Sequence, residues 1–269
     1  MKWALPGVCV AYLLLGLAGR FLNPVDPGDV DLANRYLPPL QSFAHLLGTD
    51  HLGRDILSRT LVGASLSLSL ATIVIAGAGV FGVIVGMVAG FAGGRIDALL
   101  MRISDAMLAL PAIMLALLLV AVMEPGFWSV AIALMLVTWA RYARFVRGEV
   151  LSLRSREFVD AAILCGTPTA RLLWRHILPN VINVIIVLFT LDVGRVILLE
   201  SSLAFLGLGL APERGAWGST IAEGKLYLQI APWISLVPAF AMMITIVLSN
   251  AFGNWLSDQL DPRRRAAAA

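Results

Sequence analysis

The stretch LVGASLSLSLATIVIAGAGVFGVIVGMVAGFAGG, residues 61–94, lies between Arg59 and Arg95 and carries no charged side chain. A helix of about 20 residues already crosses the roughly 30 Å hydrocarbon core of a bilayer. Within that core every backbone N–H and C=O group must be hydrogen-bonded inside the chain, and a helix meets this requirement. The stretch therefore predicts a membrane-spanning helix and an integral membrane protein.

The composition of the whole chain supports the same conclusion. Of its 269 residues, 59% are hydrophobic and 14% are charged, whereas soluble domains carry about 25% charged residues. Further apolar runs that are candidate spans lie at residues 3–22, 106–123, 125–140, 177–199 and 226–257. We therefore predict an all-α polytopic membrane protein with six transmembrane helices and both termini on the same side.

The distribution of lysine and arginine predicts which side is cytoplasmic, because cytoplasmic loops hold the excess of these residues. With both termini inside, the cytoplasmic segments carry 13 of the 20 Lys and Arg residues, the outer segments carry 6, and Arg195 lies within a span. The expected organisation in a bacterial or archaeal cytoplasmic membrane is a first transmembrane helix at 1–22, an extracytoplasmic segment at 23–65 and a core at 66–269. Since the basic residues are divided among short loops, the net charge of +3 does not indicate nucleic-acid binding.

Two features of the N-terminal part leave alternatives open. The first apolar segment could be a cleaved signal peptide, because a lysine precedes it and small residues follow it. His51 stands beside Asp50 and Asp55, and such residues can bind a metal. Three polar residues in an outer loop are more often solvated or helix-capping, so we expect no metal site.

Glycines recur every four residues in the quoted stretch, at Gly82, Gly86 and Gly90. This spacing places three bare backbone patches on one face of a helix, where a second helix can approach closely. Glycine is also frequent in membrane helices generally. The stripe predicts a helix–helix interface but assigns no function.

A polar stretch at residues 141–180 interrupts the apolar pattern between the fourth and fifth predicted spans. Apolar residues in SREFVDAAILC recur at near-helical spacing, and Gly166 then supplies the freedom that ends a helix. Thr167 is a good N-cap and Pro168 suits the first helical position, so TPTARLLWRHI predicts a second helix that runs to a break at Pro179. The stretch therefore predicts a helix, a glycine turn and a second helix on the cytoplasmic face.

This helix pair could be a solvated connector, but its residues are more specific. Asp160, Ala161 and Ala162 precede Gly166 at a spacing that resembles the EAA loop of ABC importer permeases. The segments LGTDHLGRDILSRTLVGASLSL, RHILPN and ESSLAFLGLGLAPERGAWGSTI are similar to the dipeptide, oligopeptide and nickel subgroup of these permeases. The resemblance covers about residues 23–262. It departs from the family pattern at Asp160, where glutamate is usual.

The resemblance implies a type I ABC importer permease fold and a subunit that is not itself an enzyme. In that family the loop, here at about residues 150–180, docks into a groove on an ATP-binding subunit. Family members pair with a second homologous permease, two ATP-binding cassette subunits and an extracytoplasmic substrate-binding protein. The docking residues that correspond in this chain are Asp160, Ala161, Ala162, Gly166, Thr167, Pro168 and Arg171.

The resemblance also implies that ATP and Mg are bound by the partner subunits and that this chain binds no cofactor. The segment GSTIAEGKL is the part of the chain most like a nucleotide-binding loop. It has one residue too many between its glycines, and a leucine where a P-loop needs Ser or Thr. We therefore expect hydrolysis on a partner.

Four further residues are candidates for an intramembrane site or a gate: Asp192, Arg195, Glu200 and Trp217. Asp192 and Arg195 lie three residues apart on one helical face. They form either a structural ion pair or the ion-coupling groups of a self-sufficient secondary transporter. Glu200 is expected near the outer end, within reach of water. Residues 205–233, with closely spaced glycines and tryptophans, predict a folded outer element.

The function that best fits these features is half of the translocation pathway for a dipeptide or oligopeptide delivered by an external binding protein. A nickel or other small-solute importer is the alternative within the same family. His51 and His176 do not favour nickel, because the first is a lone outer-loop residue and the second belongs to the cytoplasmic RHILPN element. Membrane lipid is the remaining expected contact.

Overall fold

The computed structural model describes residues 4–22, 26–124, 126–210 and 215–260, and it is predominantly helical. Apart from one antiparallel bridge between Thr49 and Asp55, these residues form helices, turns and loops. The α-helices are α1 (Ala4–Leu17), α2 (Gly19–Leu22), α3 (Ile56–Ala92), α4 (Gly94–Ala109), α5 (Ala112–Val122), α6 (Phe127–Arg154), α7 (Glu157–Leu164), α8 (Thr169–Leu172), α9 (Leu178–Phe205), α10 (Trp217–Gly224) and α11 (Trp233–Leu260).

Four helices in the described residues are long and apolar enough to cross a membrane: Ile56–Ala92, Phe127–Arg154, Thr169–Phe205 and Trp233–Leu260. The pair α4 and α5 makes a fifth candidate if it is counted as one span, and it is bent by 90°. The prediction of an all-α polytopic membrane protein is confirmed. The predicted first span corresponds to α1, which has 14 residues, and the short α2 that follows it.

The expectation of one unbroken span at residues 106–123 is wrong. α4 ends at Ala109, and α5 begins only after Pro111. Proline lacks an N–H group and disfavours the helical conformation in the residue before it. Leu110 accordingly has extended backbone angles, φ −84° and ψ 138°, and the chain turns sharply there.

The predicted glycine stripe forms a close interface between α3 and α6. A Cβ added at Gly82 or Gly86 would lie 2.5 Å from a backbone carbonyl oxygen of α6, and one added at Gly90 would lie 2.8 Å from the Val150 side chain. Gly82 faces Trp139 and Gly90 faces Val150, so the two helices run parallel. Because the backbones touch at these positions, there is no room for a side chain on this face of α3.

The remaining long helices pack around this parallel pair. The largest buried apolar cluster draws on α3, α5, α6 and α9. α9 and α11 are antiparallel, since Gly194 faces Ile246 and Gly253 faces Leu191. α1 lies against α11, where the Tyr12 hydroxyl donates to the Ala241 carbonyl oxygen at 3.2 Å.

The helices leave two opposite ends of the molecule for the polar segments. At one end, residues 26–55 meet the start of α11: the Trp233 indole Nε1 donates to the Thr49 carbonyl oxygen at 3.0 Å. At the other end, α3 stops beside the last turn of α6, where the Arg154 guanidinium lies 5.6 Å from the centre of the Phe91 ring. α7 follows directly from that second end.

The α3–α6 interface can be tested with a matched pair of glycine variants. Gly86→Ala places a methyl group against a backbone oxygen, so we expect a loss of about 1–3 kcal/mol of stability from overpacking. Gly148, on α6, has nothing within 4 Å of an added Cβ, and Gly148→Ala should be neutral or stabilising by up to about 1 kcal/mol. Thermal unfolding in detergent compares them, and equal melting temperatures would contradict the assigned interface.

Candidate functional site

The polar loop between α6 and α9 is shorter than the sequence pattern indicated. α6 continues to Arg154, so Arg141 and the charged residues from there to Arg154 belong to a long helix rather than to a loop. The first helix of the loop is α7, which carries Glu157 and Asp160 in its first turn. Carboxylates in this position interact favourably with the partial positive charge of a helix N-terminus.

The corner that follows α7 is a Schellman motif. Gly166 has a φ of +74°, and its N–H donates to the Ile163 carbonyl at 2.9 Å while the Thr167 N–H donates to the Ala162 carbonyl at 3.1 Å. A Cβ added at Gly166 would meet nothing within 4 Å. The need for glycine therefore comes from the left-handed backbone angle alone.

Two details predicted for the second helix are wrong. Pro168, rather than Thr167, is the N-cap of α8, because its extended backbone places its carbonyl to accept the first helical hydrogen bond. The helix also does not break at Pro179, since α8 continues through a π-helical turn at Leu173–Ile177 into α9. The π turn ends at Ile177, so Pro179 stands in the first turn of α9, where its ring and its missing N–H group are tolerated.

The predicted docking residues lie together on the surface of this helix pair. Asp160, Ala161, Gly166, Pro168 and Arg171 are exposed, and Ala162 and Thr167 are half-buried. Leu164 is 87% exposed and Trp174 is 59% exposed. Val159 and Leu172 are buried. Large apolar side chains on an exposed polar segment are typical of a contact with another protein.

The opposite end of the molecule is a compact segment at residues 26–55. A Cβ added at Gly53, where φ is +80°, would lie 1.7 Å from the Asp31 carbonyl oxygen, so only glycine fits. The Asp31 N–H donates to the Leu52 carbonyl at 3.1 Å. Hydrogen bonds from the Asn34 side chain and the Ala33 N–H lower the pKa of the Asp31 carboxyl. This segment is a folded unit.

A buried ion network joins this segment to α3 and α10. The Asp50 carboxylate accepts from the Arg54 Nε at 2.6 Å and lies 3.6 Å from the Arg59 guanidinium. Both arginines reach Glu223 of α10, Arg54 at 3.0 Å and Arg59 at 2.7 Å. Asp50 and both arginines are buried. Charges taken out of water need partners of this kind.

The network was not found by sequence reasoning, which placed its arginines in a solvated outer loop. The available signal was that three charged residues, Asp50, Arg54 and Arg59, lie close together in sequence beside an apolar span. Glu223 stands 169 residues after Arg54, and no local pattern links them. The capping residue of α3 is Asp55, which accepts from the Ser58 N–H at 2.7 Å.

The histidines of this segment are engaged in contacts within the chain. The His45 Nδ1 lies 3.1 Å from Asp55, and the His51 ring stacks on Tyr227 with 4.9 Å between the ring centres.

Trp217, a predicted gate residue, is buried at the start of α10. Its indole Nε1 donates to the Thr60 carbonyl oxygen at 2.9 Å. A Cβ added at Gly63 of α3 would lie 2.7 Å from the indole ring. Trp217 thus anchors α10 to α3, and any effect it has on a surface contact is indirect.

The predicted pair Asp192 and Arg195 belongs to a three-residue cluster. Asp192 is bound directly by Arg141 of α6, and the Arg195 guanidinium lies farther from it, at 3.9 Å. The expectation that Arg141 lies in a cytoplasmic loop is therefore wrong, because it stands in the middle of α6. The pairing joins two helices.

The expectation that Glu200 reaches water is also wrong. Its side chain is completely buried in α9. The hydroxyl groups of Ser67 on α3 and Ser201 both lie 3.4 Å from its carboxylate. Glu200 therefore contributes to the packing between α3 and α9.

Comparison with known proteins shows the family to which this chain belongs. Residues 82–266 match the family described as the binding-protein-dependent transport system inner membrane component. The chain belongs to this family. The matched range includes the whole α7–α9 region and the intramembrane cluster, and membership identifies the chain as a multi-pass component of the bacterial inner membrane.

Relatives of this inner membrane component cover nearly its full length. The dipeptide transport system permease protein DppC of Alkalihalophilus pseudofirmus is 37% identical over 98% of this chain and 87% of its own length. The oligopeptide transport system permease protein OppC of Haemophilus influenzae is 37% identical over 96% of this chain and 83% of its own. A putative peptide transport system permease protein of Brucella suis is 41% identical over 93% and 84%.

Removal of one partner of the buried ion network should reduce the protection of nearby backbone amides against exchange with solvent. Glu223→Gln leaves two buried arginines with Asp50 as the remaining carboxylate of the network, so α10 should open more often and its amides should exchange faster with solvent. Glu223 is 21% exposed, so the cost should be below the about 3–5 kcal/mol of a fully buried pair. The control is Glu124→Gln, at an exposed position. Equal exchange over residues 215–224 in both variants would show that the network does not hold α10.

Proposed function

We propose that this chain is one of two permease subunits of an ATP-driven importer, which carries dipeptides or oligopeptides delivered by an extracytoplasmic binding protein. Membership of a binding-protein-dependent transport family supports the assignment to such a system. The names of its relatives, which are dipeptide and oligopeptide permeases, support the substrate class. The second permease is expected to be homologous and to supply the other half of the pathway.

We further propose six spans with both termini in the cytoplasm. The spans would be α1, α3, the bent pair of α4 and α5, α6, the continuous helix Thr169–Phe205, and α11. Residues 1–22 would then hold the first span, residues 23–65 would be mainly outside, and residues 66–269 would form the core. The separation of residues 26–55 and the α7–α8 corner at opposite ends supports this topology.

The observation that carries the proposal is the exposed corner at Gly166. It presents Leu164 and Trp174 to water at one end of the helix bundle, together with the acidic residue Asp160. We infer that this surface docks on an ATP-binding cassette subunit. ATP and Mg would be bound there, and this chain would be a non-catalytic subunit that transmits the movement.

The opposite end is proposed to receive the binding protein. Residues 26–55 and α10 are joined into one folded surface by the buried ion network, and a rigid surface suits repeated docking. Trp217 would support this surface from beneath. A secondary transporter is less well supported, because Asp192 is already bound by Arg141 and serves as a helix-to-helix contact.

Gly166→Val tests the docking role. A β-branched residue is strained at a φ of +74°, so the corner should change and substrate-stimulated ATP hydrolysis should fall. Gly166→Asn is the matched control, because asparagine tolerates this backbone region and an added Cβ has free space. The assay uses the complete purified complex and compares assembly, basal hydrolysis and stimulated hydrolysis.

The two variants separate the possible outcomes. Loss of stimulation in the valine variant alone supports a geometrically defined corner. Full coupling in both variants would mean that the segment is only a connector between helices, and the proposed docking role would be abandoned.

A further inference from the structure

One face of α9 is bordered by two clefts, one towards each end of the molecule. The inner cleft, of about 430 Å³, is lined in part by Phe145, Asn180, Asn183 and Leu188. The outer cleft, of about 350 Å³, is lined in part by residues of α5, α10 and α11 and by Leu198 of α9. Neither cleft includes the charged cluster itself.

The charged cluster lies between these clefts on the same helical face. On α6, Arg141 precedes Phe145 of the inner cleft by four residues, or about one turn. On α9, Arg195 follows Leu188 of the inner cleft by seven residues, about two turns, and precedes Leu198 of the outer cleft by three. The inner cleft, the charged cluster and the outer cleft therefore follow one another in a continuous stripe along α9.

The cluster of two arginines and one aspartate has a net charge of +1. Arg141 and Arg195 share the single carboxylate of Asp192, and within the described ranges neither arginine has another ion-pair partner. The Asp192 side chain is only 2% exposed, whereas the side chains of Arg141 and Arg195 are 31% and 33% exposed. A charge in the middle of a span does not face lipid without a large cost. This face must therefore meet water, a solute or another protein.

The lining of the inner cleft favours water and a solute. Glu149, Asn180, Asn183 and Ser257 contribute polar groups to it, and such groups are costly against lipid. The outer cleft is mainly apolar and accommodates uncharged side chains. A route that is polar at its inner cleft and charged at its centre suits a peptide better than it suits lipid.

We propose that this face of α9 lines the translocation pathway and that the surplus arginine charge binds the C-terminal carboxylate of the peptide in transit. This rests on the proposed function. Guanidinium groups bind carboxylates through paired hydrogen bonds. Every linear peptide with a free C-terminus carries this group, whatever its side chains, so one site serves many sequences. Asp192 weakens the site, and weak binding is required for release.

Arg195→Gln tests the site most directly, because it removes the surplus charge and leaves the pair of Arg141 and Asp192 in place. The complete importer is reconstituted in proteoliposomes with its binding protein. Transport is measured for one peptide as free acid and as C-terminal amide, each at a concentration that saturates the binding protein. The parent should transport the free acid about tenfold faster, as expected for one charge-assisted hydrogen bond. Arg195→Gln should transport both forms at similar rates.

Two control variants accompany this change. Arg195→Lys keeps the charge and should keep most of the preference. Arg144→Gln removes an arginine of the same helix as Arg141 that binds Asp105 instead, and it should transport both peptides as the parent does. Hydrolysis stimulated by loaded binding protein should persist in all three, which separates passage of the peptide from assembly and docking.

Each remaining outcome contradicts the carboxylate site. An unchanged preference in Arg195→Gln would mean that the cluster is structural. Failure of Arg195→Gln, but not Arg195→Lys, to co-purify with the second permease would mean that the charge pairs with that subunit. If the parent complex moved neither peptide despite assembling, the proposed function itself would fail.

Discussion

The close parallel packing of α3 and α6 is the constraint on which the rest of the chain depends. The glycine stripe brings the two backbones into contact, and two parallel helices require the chain to return between them. The bent pair of α4 and α5 provides that return. Arg147 of α6 holds α4 in place with two hydrogen bonds to Asp97, at 2.5 and 2.6 Å.

This helical pair also connects the two polar ends. The first turns of α3 carry Arg59 and the Thr60 carbonyl oxygen into the contacts that fix α10. The last turns of α6 carry Val150 and Leu153 into the buried cluster that continues into α9, and α7 begins three residues after α6 ends. Because no flexible segment intervenes along either helix, displacement at one end can be transmitted to the other.

Much of this could be predicted from the sequence because lipid imposes simple rules. Apolar runs predicted helices, glycines every four residues predicted a close contact between helices, and Gly166 predicted the end of a helix. The errors have physical causes as well. A hydropathy run does not reveal that Pro111 bends the chain, and a proline at position 179 signals a break unless a π turn precedes it. The pairs Arg59–Glu223 and Arg141–Asp192 join residues far apart in sequence, and only the packing of helices brings them together.

The central claim is that the corner after α7 and the segment at residues 26–55 face opposite sides of the membrane. Cys165 beside the corner is exposed and Cys9 is buried, while Phe43 is 99% exposed at the other end. The chain is expressed without ATP-binding subunits, which would cover Cys165, and intact cells are treated with a maleimide that cannot cross the membrane. Cys165 should react only after the cells are opened, whereas Phe43→Cys in a Cys165→Ser background should react at once. Labelling of Cys165 in intact cells would contradict the arrangement.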